Sequence, residues 1–306
     1  MLAFVFPGQG AQHAGMGKEL SENFSVAREV FEEANDSLGL DLAKMCYEGP
    51  EEDLKLTANT QPAILTTSVA ALRVVQQETG LQPDFVAGHS LGEYSALVAA
   101  QAVDFADAVC LVRQRGTFMQ QAVPIGSGAM AAILGVDAEL LEELCAQAAQ
   151  NEVVSAANYN SPGQIVIAGN ATAVDRAIAL AKDNGARKAM MLPVSAPFHC
   201  ALMLPAGEKL EQVLNTVVMH DIKVPVVTNV EAVANSDSSR IKRLLIDQVS
   251  APVRWESSVR NMLDNGVERF IEIGPGKVLC GLIRRIERKA KISNVENIAS
   301  LKSALA

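Results

Sequence analysis

The sequence predicts an α/β protein: a mostly parallel sheet flanked by helices, with a smaller plate inserted into it. Three observations lead there. Outside residues 123–197, short apolar runs alternate with helical stretches, the order that builds a parallel sheet covered on both faces. Gly88-His89-Ser90-Leu91-Gly92 lies between an apolar run and a helical stretch, as a sharp strand-to-helix turn requires. From residue 129 to 192 the order is strand, helix, strand, strand, helix, strand, the split βαβ or ferredoxin-like unit. The expected organisation is a large part made of 1–122 and 198–306, with 123–197 as the inserted subdomain.

Leu2-Ala3-Phe4-Val5-Phe6 reads as a buried first strand running into the glycine-rich turn Pro7-Gly8-Gln9-Gly10-Ala11-Gln12. As a dinucleotide loop this turn fails at His13, where a small residue is needed for helix and strand to pack closely. It is otherwise a plain loop, or one whose backbone N–H groups face a cleft. Residues 17–80 read as helical, with Phe24, Arg28, Phe31 and Glu32 on one segment. A second segment begins near Asn59-Thr60-Gln61-Pro62, a helix-start signal. It carries Ile64, Leu65, Val69, Leu72 and Val75 at spacings of three and four, and stops at Thr79-Gly80.

Pro83-Asp84-Phe85-Val86-Ala87 precedes the pentapeptide as a short buried strand, and Leu91–Ala100 follows it as a proline-free run of helix formers. The pentapeptide has the form G-x-S-x-G. A serine on such a bend projects its hydroxyl clear of the backbone, and the crowded flanks need small residues two before and two after. A further helix is expected over Asp104–Gln121, bearing Arg113 and Arg115. The insertion then reads as strand Ala129–Leu134, helix Asp137–Gln150, strands Val153–Asn158 and Gln164–Ala168 joined by Tyr159–Gly163, helix Thr172–Asn184 and strand Arg187–Leu192. Past the return marked by Pro193 and Pro197, Cys200–Leu214 reads as helical apart from Pro205. Val224–Thr228 is a short strand, Arg254–Asn265 a helix, Arg269–Ile273 a strand, and Val278–Ile286 a closing helix.

Composition narrows the function. The chain has 306 residues, 49% of them hydrophobic, enough for a sizeable core, and a net charge of −9. With no long basic run before residue 284, nucleic acid is not an expected partner. The N-terminal stretch lacks the basic flank of a signal peptide, and no stretch of about 18 apolar residues could span a membrane, so a cytoplasmic protein is expected. The five cysteines, Cys46, Cys110, Cys145, Cys200 and Cys280, are scattered and form no C-x-x-C pair. Reduced thiols are expected, with neither a metal site nor a disulfide framework.

A serine nucleophile needs a base within hydrogen-bond reach. Among the four histidines, His89 adjoins Ser90 and should point away, His13 lies in the first loop, and His220 sits in a surface turn. His199 lies where the chain returns from the insertion and must cross the mouth of the cleft; it is the candidate base, against the alternative of a buried histidine satisfied by backbone. No aspartate or glutamate between them stands at an obvious strand end, which leaves room for a Ser-His dyad whose imidazole is held by a backbone carbonyl. Arg115, on spacing alone, reads sooner as a helix-surface charge than as a binding group.

Several segments together resemble the malonyl-CoA:acyl carrier protein transacylases, in the acyltransferase family of fatty acid and polyketide synthesis. They are Phe6-Pro7-Gly8-Gln9-Gly10, Asn59-Thr60-Gln61-Pro62-Ala63, Gly88–Tyr94, Gln114-Arg115-Gly116, Asn158–Gln164, Phe198-His199, Leu245–Trp255 and Glu272–Gly276. The resemblance covers nearly the whole chain. It implies a hydrolase-like α/β domain with the ferredoxin-like insertion and the site between them. It implies Ser90 as nucleophile, His199 as base, the Gln248 backbone carbonyl holding the imidazole, and the N–H groups of Gln9 and Leu91 as oxyanion hole. It further implies that Arg115 binds the malonyl carboxylate, that Phe198 leaves little room for an α-methyl branch, and that no cofactor is needed, malonyl-CoA and acyl carrier protein being the substrates. Basic residues that could meet these anionic partners are Arg187 and Lys188 and the tail Arg284–Lys291. The rival readings are a serine esterase or thioesterase on the same Ser-His pair and a nucleotide-binding module built on Gly8 and Gly10.

Overall fold

The computed structural model describes residues 1–124, 126–194 and 196–305; Ile125 and Ser195, which fall in the two crossings expected between the parts, and Ala306 lie outside the described residues. The chain opens with β1 (Leu2–Phe6), buried over its last four residues. Helices α1 (Lys18–Asn23), α2 (Ser25–Leu38), α3 (Leu42–Glu48), α4 (Glu51–Lys55) and α5 (Thr57–Thr79) follow. The helical stretch expected over 17–80 is thus five helices, broken where Gly39 and Gly49 take positive φ and cap α2 and α3.

Helix α5 starts earlier than Asn59, so Pro62 lies inside it rather than at its first turn. Proline at that point cannot donate to the carbonyl of Ala58 four residues before it. Arg113 supplies the missing donor through Nη1 at 3.1 Å. A cation from a neighbouring helix therefore repairs the break, and α5 continues buried to Val75.

Then come β2 (Phe85–Gly88), α6 (Gly92–Ala99) and α7 (Phe105–Gln121). The smaller sheet is built from β3 (Gly128–Leu134), α8 (Ala138–Ala149), β4 (Val154–Ser161), β5 (Gln164–Asn170), α9 (Ala171–Asp183) and β6 (Lys188–Met191). Its order is β4-β5-β3-β6 and every pairing is antiparallel, as the split βαβ pattern predicts. One detail differs: Tyr159–Ser161 belong to β4, not to a loop. Their polar character suggested a turn, but Asn158 and Asn160 are buried where β4, still paired with β5, meets the rest of the chain. There Tyr159 N–H donates to Val253 O at 2.9 Å and Val253 N–H to Ala157 O at 2.9 Å.

The return runs through a short 3₁₀ turn at Ala201–Met203 into α10 (Leu204–Leu214), with Pro205 in its first turn, where no N–H is needed. Next are β7 (Val226–Val227), β8 (Ala234–Asn235), α11 (Ile241–Ser250), α12 (Trp255–Asp264), β9 (Arg269–Ile273) and α13 (Val278–Ile286). Helix α13 does not close the chain, as the sequence reading expected. Strand β10 (Lys291–Val295) and α14 (Ile298–Leu305) follow. KISNV is half polar and was inconspicuous; as the outermost strand it pairs on one side only, with β9.

The large sheet has the order β10-β9-β1-β2-β7-β8, parallel except for the β7–β8 pair. Apolar clusters fill both faces: Phe4, Phe6, Val86 and Ile271 pack to one side, Ala3, Val5, Ala87 and Trp255 to the other. The alternation along β1 shows why its whole run is apolar.

The strand–turn–helix at β2–α6 leaves no room for side chains at its glycines. A Cβ on Gly88 would stand 1.9 Å from the backbone carbonyl of Gly92, and one on Gly92 would stand 2.1 Å from Phe6 O. Replacing Gly92 by alanine should cost about 1–3 kcal/mol of stability, the usual range for overpacking, measured by denaturant unfolding against the parent chain. A midpoint unchanged in Gly92→Ala would show that the sheet can give way there.

Candidate active site

Ser90 heads the turn with φ +52°, a left-handed conformation rare for a residue with a side chain. It is held there by Asn229. The Asn229 side chain accepts the Ser90 N–H through Oδ1 at 2.6 Å and donates Nδ2–H to Gly88 O at 2.6 Å. Without Cβ atoms at Gly88 and Gly92 the bend closes, and the Ser90 hydroxyl faces a cavity of about 120 Å³ between the two sheets. Its walls include Gln9, Leu91, Arg115, Met119, Met130, Phe198 and His199.

His199 comes from the return out of the small sheet and is 3% exposed, with φ +61°. Its Nε2 is 2.7 Å from Ser90 Oγ, and its Nδ1 is 2.8 Å from the backbone carbonyl oxygen of Gln248 on α11. A carbonyl can only accept, so Nδ1 carries the hydrogen and Nε2 presents its lone pair to the hydroxyl. Burial, reinforced by the nearby positive charge of Arg115, pushes the imidazole pKa down to about 3. At neutral pH the ring is therefore the uncharged acceptor that a serine proton requires.

Arg115 is not a surface charge. It sits on the buried face of α7, 1% exposed. Its Nη1 donates to Gln61 Oε1 at 2.7 Å, and its Nη2 to Gln248 Oε1 at 2.8 Å and to Ser90 Oγ at 3.3 Å. All three acceptors are uncharged. A buried guanidinium beside the serine, hydrogen-bonded to neutral groups, has the chemistry to receive an anion.

The amides of Gln9 and Leu91 both belong to residues lining the cavity. Among the described residues neither N–H has an acceptor. Gly8 lets the β1 loop approach the elbow, since a Cβ there would meet His89 O at 2.3 Å.

The other histidines fall where the sequence reading placed them. His89 turns from Ser90 toward the small sheet, bonding Asn160 Oδ1 through Nε2 at 2.8 Å and lying against Trp255. His13 is exposed, and His220 is an exposed partner of Asp104 at 3.3 Å. Cys200 is buried, its Sγ donating to Pro197 O at 3.1 Å, and burial pushes its thiol up to about 11. Among the described residues no group of three or more His, Cys, Asp or Glu could hold a metal ion.

Three residues of the site escaped the sequence reading as such. Asn229 carried no local signal. Gln61 and Glu93 stood inside recognised segments without a role. Glu93 is a buried carboxylate on α6 that accepts from Asn229 N–H and from Gln248 Nε2–H.

The chain is similar to known proteins along nearly its whole length. Residues 3–304 match the family described as the acyl transferase domain. The chain belongs to the acyl transferase family. A malonyl CoA-acyl carrier protein transacylase of Bacillus subtilis is 50% identical over 305 residues, spanning 99% of this chain and 96% of its own. A crystal structure of an acyl carrier protein S-malonyltransferase from Vibrio cholerae superposes with a TM-score of 0.97 at 51% identity, covering 99% of both chains. A malonyl-transacylase solved in complex with a type II PKS acyl-carrier protein superposes with a TM-score of 0.97 at 47% identity, covering 99% of this chain and 98% of its own. No helix among the described residues of this acyl transferase is long and apolar enough to cross a membrane.

The His199 environment sets a pH dependence. An ordinary histidine base loses activity as it gains a proton near pH 6.5. Here protonation is displaced to about pH 3. The rate of Ser90 acylation should accordingly show no acid limb near 6.5 when followed from pH 8 to pH 5. An inflection at 6.5 would mean that the ring is solvated and not held as described.

Proposed function

We propose that this chain transfers a malonyl group from malonyl-CoA to the pantetheine thiol of an acyl carrier protein through a malonyl-Ser90 ester, supplying units for fatty acid synthesis in the cytoplasm. The observation that carries the reading is Arg115, a buried guanidinium whose Nη2 lies 3.3 Å from Ser90 Oγ. A thioester that ends in a carboxylate matches both groups at once. The names of the relatives agree with it.

In this reading Ser90 Oγ attacks the thioester carbonyl and His199 Nε2 takes the hydroxyl proton. The carbonyl oxygen, now an oxyanion, meets the N–H groups of Gln9 and Leu91; loss of one such donor typically costs about 3–4 kcal/mol of transition-state stabilisation. The intermediate collapses, the C–S bond breaks, and the coenzyme A thiolate leaves with the proton from His199. The carrier thiol then repeats the steps in reverse, giving up its proton to His199 and freeing Ser90. Gln248 holds the imidazole through its carbonyl. Phe198 and the two methionines Met119 and Met130 limit the room beside the acyl chain.

The carrier is acidic in character and this chain has a net charge of −9, so docking needs a local excess of positive charge. Arg187 and Arg284, Arg285 and Arg288 line one groove at the seam between the small sheet and α13, and Lys188 adjoins it. Arg285 reaches across the seam to Gln164 Oε1. The two basic segments, nearly a hundred positions apart in sequence, thus form one patch.

Incubation with malonyl-CoA, with and without carrier protein, tests the reading. Malonyl-carrier should form only in the full mixture and free malonate should be minor; free malonate at the same rate in both would make the protein a thioesterase. Arg115→Ala should slow malonyl transfer by about a hundredfold and narrow the preference over acetyl, since a buried charge-assisted contact is worth roughly 3 kcal/mol. An unchanged ratio of the two rates would remove Arg115 from the acyl site. Reversing charge at Arg284 and Arg285 together should raise the KM for carrier about tenfold, and an unchanged KM would place docking elsewhere.

A further inference from the structure

Glu93 is a buried carboxylate, 2% exposed, that takes no part in the reaction above. It stands in the first turn of α6, three residues after Ser90. Its Oε2 accepts two hydrogens: the backbone N–H of Asn229 at 2.9 Å and Nε2–H of Gln248 at 2.8 Å. Each of these donors has a second task. Asn229 pins the bend at Ser90, and the Gln248 side chain bonds Ser90 O through Nε2 at 3.0 Å and Arg115 Nη2 through Oε1 at 2.8 Å.

The orientation of the Gln248 amide follows from its neighbours. A guanidinium only donates, and an ionised carboxylate only accepts. Turned over, the amide would set N–H against N–H at Arg115 and oxygen against oxygen at Glu93. With Glu93 in place only one orientation is satisfied, and that orientation aims an acceptor at Arg115. We propose that Glu93 is a positioning residue: acting through the Gln248 amide, its carboxylate oxygen holds the Arg115 guanidinium toward the acyl group and so sets the preference for an acyl chain that ends in a carboxylate. The inference rests on the malonyl-transfer reading of Ser90.

The useful property of Glu93 is acceptance, not contact with the guanidinium. No oxygen of Glu93 bonds Arg115, whose partners are Gln61, Gln248 and Ser90. Burial pushes the Glu93 carboxyl up to about 7, against the pull of its two N–H donors and the positive charge of Arg115. What Gln248 requires is an acceptor oxygen, and a carbonyl oxygen at the same place can supply it. Glu93→Gln keeps that oxygen; Glu93→Leu removes it.

The test uses the full chain with malonyl-CoA and acetyl-CoA in parallel, measuring the rate at which Ser90 is acylated by each, with thermal melting to confirm folding. In Glu93→Leu the malonyl-to-acetyl rate ratio should fall at least about tenfold, the scale of loss that misplacement of a binding group brings. In Glu93→Gln, where the acceptor is retained, the ratio should stay within about threefold of the parent. If Glu93→Leu does not fold, Glu93→Asp replaces it: the charge remains but the oxygen is drawn back from Gln248, and the ratio should again fall. A folded Glu93→Leu or Glu93→Asp with the parental ratio overturns the inference, as does a Glu93→Gln ratio that collapses as far as that of Glu93→Leu. A parent chain that takes no malonyl group on Ser90 would instead contradict the proposed function itself.

Discussion

The bend at Ser90 is the constraint on which the site depends. A side-chain-bearing residue at φ +52° costs on the order of 1–2 kcal/mol. Two hydrogen bonds from Asn229, at about 1 kcal/mol each, are of the size needed to offset it. The bend also requires contacts that no Cβ permits: Gly88 against Gly92, Gly92 against β1, Gly8 against His89. The G-x-S-x-G spacing is the sequence record of the first two of these close approaches, and Gly8 in the loop after β1 of the third. Once the bend is made, the hydroxyl projects into the cavity, which Leu91 also lines.

Gln248 is the second fixed point. Its main-chain carbonyl orders the His199 ring, and its side chain bonds Ser90 O, Glu93 and Arg115. One residue of α11 therefore ties the His199 ring, the Ser90 turn and the buried cation together. Burial serves both functions: it keeps the imidazole uncharged, and it leaves Arg115 short of water and receptive to a carboxylate.

What the sequence disclosed was local or periodic. The apolar run Leu2–Phe6 and the strand–turn–helix around Ser90 were plain, as was the βαββαβ order of the smaller sheet. What it hid depends on tertiary contact. Pro62 looked like a helix start because nothing local shows that Arg113 bonds Ala58 O. Tyr159–Ser161 looked like a loop because burial of polar Asn158 and Asn160 is decided by Val253, far along the chain. Strand β10 is half polar because it is an edge, and α14 follows it. Within the site, Ser90 was legible from its own motif and His199 from its place at the return out of the insertion, while Arg115 and Gln248 could be assigned only by resemblance to a family. Asn229 left no mark at all, since its role lies in distances to residues some 140 positions away.

The proposed transfer turns on esterification of the hydroxyl at this bend. The most direct measurement is intact-mass spectrometry after brief exposure to malonyl-CoA, followed by peptide mapping of the adduct. The account predicts one malonyl group per chain, carried by Ser90 and absent from Ser90→Ala. No adduct, or an adduct on a cysteine with Ser90 unmodified, would contradict it.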